Sequence, residues 1–94
     1  MKLRDLRPWI LQMQWKSEKE YQKYSYRSTN QQYKKRWENW TRKFRDPEHA
    51  KELLTRDLND ADYDFFVGRE WRIFNKETQE ALYVIIENQT ITII

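Results

Sequence analysis

The chain has no cysteine, one glycine, two prolines and one histidine among its 94 residues. Each shortage closes off chemistry. Without cysteine there is no disulfide, no thiolate nucleophile and no cysteine-based zinc site. A secreted domain this small ordinarily needs a staple, so a cytoplasmic setting is expected. The single glycine, Gly68, leaves no room for the glycine-rich phosphate loops of nucleotide-binding folds. His49 has neither a cysteine nor a second histidine to share a metal or a catalytic proton, and no serine or threonine has a patterned base beside it. A non-enzymatic protein without a cofactor or bound metal is the expectation. Long apolar runs are also missing. Lys2, Arg4, Asp5 and Arg7 are followed by no stretch of signal-peptide or membrane-spanning type, so no membrane association is expected.

What is abundant is charge, unevenly placed. Residues 1–45 carry 13 Lys/Arg against 4 Asp/Glu, and residues 46–94 carry 5 against 11, so an overall +3 conceals a basic half and an acidic half. Screening confines a charge's influence to about 8–10 Å at ordinary salt, so the basic half can attract a polyanion whatever the remote half carries. That half also holds 9 of the 15 aromatic residues. Cations for phosphates interleaved with rings for bases are the ingredients of a nucleic-acid surface. Leu, Ile, Val and Phe together number only 20, a thin aliphatic core for one domain of this length. Five Trp and six Tyr compensate, since each large ring can bury about 150–250 Å².

The spacing predicts an α+β domain of two or three helices packed on a small antiparallel sheet. Asp5 as a cap, Pro8 in the first turn, and Ile10, Met13, Tyr21 and Tyr24 at helical intervals predict a helix over residues 6–27. Ser28 with Gln31, or Thr29 with Gln32, resembles a capping box that restarts the chain as a second helix; one long bent helix is the alternative. Tyr33, Trp37, Trp40 and Phe44 stand at i, i+4, i+7 and i+11, within about 60° of arc on a helix, and predict a helix over residues 29–45. Asp46 followed by Pro47 opens a third, over residues 47–58, with Ala50, Leu53, Leu54 and Leu58 as its apolar face.

From Glu70 the period changes to two. Trp71 to Phe74, a turn over residues 75–80, Ala81 to Glu87, a turn at Asn88-Gln89, and Thr90 to Ile94 predict a sheet over residues 70–94. Gln79 occupies a turn position that favours glycine. Ile91, Ile93 and Ile94 are apolar on both faces and uncharged, so this last strand is expected either at the sheet centre or paired with a second chain as a homodimer.

Two surfaces are candidates for binding. On the predicted aromatic helix, Lys34, Lys35, Arg36, Arg42, Lys43 and Arg45 flank the stripe of rings, and between Glu20 and Arg45 the one acid is Glu38. An ordinary solvated face mixes signs, so these cations are the expected contact for nucleic acid or for a host nucleic-acid-binding complex; the rings themselves suit a core equally well. The second surface is Asp57, Asp60, Asp62 and Asp64, which could imitate DNA phosphates towards a host protein or simply neutralise the basic half. Asp60, Asp62 and Asp64 match the first three ligand positions of a calcium loop, but Phe65 stands where its glycine belongs and Trp71 where its closing glutamate belongs. A magnesium-dependent nuclease built on Asp62, Asp64 and Glu70 is the remaining alternative, without a lysine at a convincing spacing.

The opening Met1-Lys2-Leu3-Arg4-Asp5-Leu6 and the closing Ala81-Leu82-Tyr83-Val84-Ile85-Ile86-Glu87 resemble segments of small accessory proteins of bacteriophages and mobile elements, a group that includes anti-CRISPR inhibitors. The resemblance covers 13 of 94 residues and carries over no functional residue. It implies a non-catalytic binding protein that acts inside a host cell.

Overall fold

A computed structural model describes residues 6–24, 33–60 and 66–94. The chain runs β1 (Trp9–Trp15), α1 (Glu18–Tyr24), β2 (Glu38–Phe44), α2 (Pro47–Asp60), β3 (Arg69–Asn75), β4 (Ala81–Glu87) and β5 (Thr90–Ile93). The five strands form one antiparallel sheet in the order β2-β1-β3-β4-β5, with the helices packed on it, an α+β fold. No helix among the described residues is long and apolar enough to cross a membrane.

The acidic half follows its sequence signals. Asp46 caps α2, its Oδ1 accepting the His49 N–H at 2.8 Å, and Pro47 fills the first helical position, where an N–H would lack a partner anyway. Ala50, Leu54 and Leu58 are buried against the sheet. The turn after β3 is held by Asn75, whose Oδ1 accepts the N–H groups of Glu77 and Thr78 at 2.8 and 3.1 Å, and Gln79 takes the left-handed φ of 67° that its position demanded. Asn88 and Gln89, at φ 47° and 63°, make a two-residue turn into β5.

The basic half does not. Residues 6–27 are not one helix: the first described element is β1, and α1 spans only two turns from its Ser17 cap, whose Oγ accepts the Glu20 N–H at 3.2 Å. β1 lies inside the sheet between β2 and β3, its residues are buried on both faces, and its apolar residues run nearly continuously. Such a run lacks the alternation that marks a half-exposed strand. Residues 29–45 are not a helix either. Residues 38–44 form β2, with Trp40, Arg42 and Phe44 facing the helix-covered side and Asn39 and Lys43 the other. The spacing of four between Trp40 and Phe44 is even, and so fits one strand face as well as one helix face. Trp, Thr and Phe also favour strands. Pairing with β1 jumps from Ile10↔Lys43 to Gln12↔Asn39, so two steps along β1 match four along β2, an irregularity that re-aims the residues between. The expected caps at Asp5 and at Ser28 or Thr29 lie outside the described residues.

The core fills the space between sheet and α2. Phe44, Leu11, Leu54, Ile73 and Ile91 are almost wholly buried, each contributing about 1.5–3 kcal/mol over an exposed position. β5 sits at the outer edge rather than the centre of the sheet. Its Ile91 is buried in the core and Ile93 packs against it, while Ile94 is exposed.

Candidate functional site

The face of the sheet opposite α2 carries the candidate site. Because strand side chains alternate, burying Trp71, Ile73 and Val84 under α2 sends Arg72, Phe74, Tyr83 and Ile85 to the other side. Arg72 and Tyr83 are direct cross-strand partners. Trp37, just before β2, folds onto the same face: the Arg72 guanidinium carbon lies 4.3 Å from the Trp37 ring centroid and 5.5 Å from that of Phe74, and the Trp37 and Tyr83 rings are 6.2 Å apart at 55°. Four planar groups are thus contiguous on one surface. Tyr83 is 53% exposed and Ile85 37%.

A chain of hydrogen bonds fixes the centre of this surface. Arg72 Nε donates to Gln12 Oε1 at 2.7 Å, and Gln12 Nε2 donates to Asn39 Oδ1 at 2.8 Å, tying β3, β1 and β2 together. Gln12 is buried, and its side-chain oxygen and nitrogen are both satisfied, which orients the guanidinium. Burial pushes the Arg72 guanidinium below its ordinary value, and a smaller charge interaction with Tyr83 acts in the opposite direction. An arginine tolerates such a shift without losing its charge near neutral pH. Nearby, Gln14 Nε2 donates to Glu70 Oε2 at 2.9 Å.

The cations expected on one helix are divided by the strand. Lys34, Lys35 and Arg36 are exposed in the segment leading to β2, and Arg36 Nε is 3.5 Å from Glu38 Oε1. Lys43 is exposed on the same face as Arg72. Arg42 points the other way, to α2, where its Nε donates to Asp57 Oδ2 at 2.8 Å and its Nη2 also engages Asp57. The Asp57 hydrogen bond is the main reason that the Arg42 guanidinium is raised above its ordinary value, against a smaller opposing effect of burial. Arg45 lies beyond β2; its backbone N–H donates to His49 Nδ1 at 3.0 Å, and His49 packs edge-on against Phe44. His49 is thereby accounted for as a buried structural residue.

Of the acidic candidates, Asp57 is occupied by Arg42, Asp60 is exposed at the end of α2, and Asp62 and Asp64 lie outside the described residues. Among the described residues, no three His, Asp or Glu side chains gather as a metal site would require. Arg72, Phe74, Tyr83 and Gln12 were not among the expected site residues. The signal for three of them was present: once Glu70 to Glu87 is read as alternating strands, Arg72, Phe74 and Tyr83 are the members with no place in the helix-covered core.

No known protein family, curated protein or solved structure matches the chain. The geometry of the site is therefore what bears on function.

Proposed function

We propose that the protein is a non-catalytic binder of single-stranded nucleic acid and that the sheet face opposite α2 is its contact surface. The observation that carries this reading is the contiguous set Trp37, Arg72, Phe74 and Tyr83, exposed on its Tyr83 side and bordered by Lys34, Lys35, Arg36 and Lys43. Unpaired bases offer a flat π-face to each such group, and phosphates are drawn to the border of cations. A duplex hides its base faces, so the reading favours single strands. The acidic surface is less suited to imitating DNA, because Asp57 is already neutralised by Arg42 within the fold.

The salt dependence of binding tests the reading. Each phosphate contact contributes about 0.7 to the slope of log affinity against log salt for a single strand. Replacing Lys34, Lys35 and Arg36 together by Glu should weaken binding of a labelled 12-nucleotide single strand and flatten that slope, without unfolding a domain in which all three are exposed. An unchanged slope would remove these cations from the surface.

A further inference from the structure

β3 and β4 pair only between Trp71↔Val84 and Phe74↔Ala81. Beyond that point they part. Arg69 and Glu70 stay with β1, opposite Trp15 and Gln14, while Ile85 to Glu87 continue with β5, opposite Thr92 to Thr90. The fork opens a cavity of about 550 Å³, within the range of roughly 300–1,000 Å³ usual for small-molecule sites. Phe66, Trp71, Val84 and Ile86 supply apolar wall, and Tyr83, already part of the aromatic surface, borders the cavity too. A strand stacked on that surface would pass the mouth of the fork.

Four charged residues line the cavity, Lys16, Arg69, Glu70 and Glu87. The Arg69 guanidinium lies 4.5 Å from the Trp15 ring centroid and Glu87 is exposed at the end of β4, which leaves Glu70 and Lys16 for a ligand. One carboxylate oxygen of Glu70 accepts from Gln14 Nε2 at 2.9 Å, and Lys16, also in the lining, carries an ammonium group. A carboxylate is an acceptor with two oxygens side by side, and an ammonium is purely a donor. Guanine presents N1–H next to its 2-amino group, two adjacent donors, with the O6 acceptor beside them. Adenine and cytosine put a lone pair next to their amino group, and uracil and thymine set a single N–H between two carbonyls, so each would confront Glu70 with a repelling acceptor. Resting on the single-strand reading above, the geometry points to this cleft as a pocket for one guanine base, Glu70 accepting from N1–H and the 2-amino group and Lys16 donating to O6.

The test is anisotropy with labelled 12-mers of dT in which one central residue is dT, dG or deoxyinosine, which lacks the 2-amino group. The expected result is about 10-fold tighter binding of the dG strand than of the all-dT strand, the size of one good two-point base contact, with deoxyinosine intermediate. Glu70→Gln, nearly isosteric, should erase the difference and leave dT affinity unchanged, whereas Tyr83→Ala should weaken all three strands. Equal affinity for the three strands in the unaltered protein would overturn the guanine pocket while leaving the single-strand reading standing. A titration with guanosine 5′-monophosphate, followed by the backbone NMR signals of Lys16, Glu70 and Ile85, separates the remaining cases. Shifts there without oligonucleotide binding would uphold the pocket and reject the single-strand reading; no shifts and no guanine preference would reject the pocket.

Discussion

Arg42 of β2 and Asp57 of α2 hold each other in a two-pronged ion pair across the gap between strand and helix. A cation and an acid that sequence alone would assign to two different binding surfaces are each other's partners inside the fold. The pair also ties β2, at one sheet edge, to the helix that covers the core.

The pair should therefore act on stability and not on binding. Its side chains are 43% and 29% exposed, so solvent screens it, and a double-mutant cycle with Arg42→Ala and Asp57→Ala should give a coupling of about 0.5–1 kcal/mol in urea unfolding. Arg42→Ala should leave affinity for a single strand within twofold of the original. A larger loss would return Arg42 to the contact surface.

Gly68 should not accept a side chain. Its φ is +81°, and a Cβ built there would sit 2.6 Å from Tyr24 Cδ2 and 2.8 Å from Cε2, while its carbonyl accepts the Lys16 N–H at 3.0 Å. Gly68→Ala is expected to cost about 1 kcal/mol for the left-handed backbone alone, plus the displacement of Tyr24. Combining it with Tyr24→Ala separates the two: the double variant should lose less stability than the sum of the single changes. Strict additivity would mean that the ring moves aside freely.

Gln89→Gly should stabilise the protein. Both central residues of the β4–β5 turn have positive φ, and Asn-Gly is the pair that this turn prefers. A gain of roughly 0.5–1 kcal/mol is expected from relieving the glutamine, read as a higher urea midpoint at constant slope. A loss would show that the left-handed residue costs less than the chain entropy that glycine adds.

The acidic half was legible because its signals are local: Asp46-Pro47 starts a helix wherever it is followed by an apolar face, and the alternation from Trp71 onward fits only strands. The basic half misleads for two physical reasons. β1 is sandwiched between two strands and buried on both faces, so Trp9, Ile10, Leu11 and Met13 form a run whose period is hidden. The ring spacing in residues 33–44 satisfies a helix, but Trp40 and Phe44 also share a strand face, and Trp37 lies outside the strand and folds to the opposite side. Basic and aromatic residues are dense in residues 34–43, but how each is presented depends on which side of a sheet it takes. The alternation in β3 and β4 does place Arg72 and Tyr83 outside the helix-covered core, but it does not by itself distinguish them from ordinary solvent-facing strand residues.

The measurement that tests the central claim most directly is the affinity of Tyr83→Ala for a labelled 12-nucleotide single strand, compared with the unaltered protein at the same salt. Tyr83 is more than half exposed, so its loss should not disturb the fold. Loss of one stacking platform is worth about 1–3 kcal/mol, and binding should weaken by roughly 5- to 150-fold. Undiminished affinity would contradict the account, because it would mean that nucleic acid, if bound, is bound away from this face.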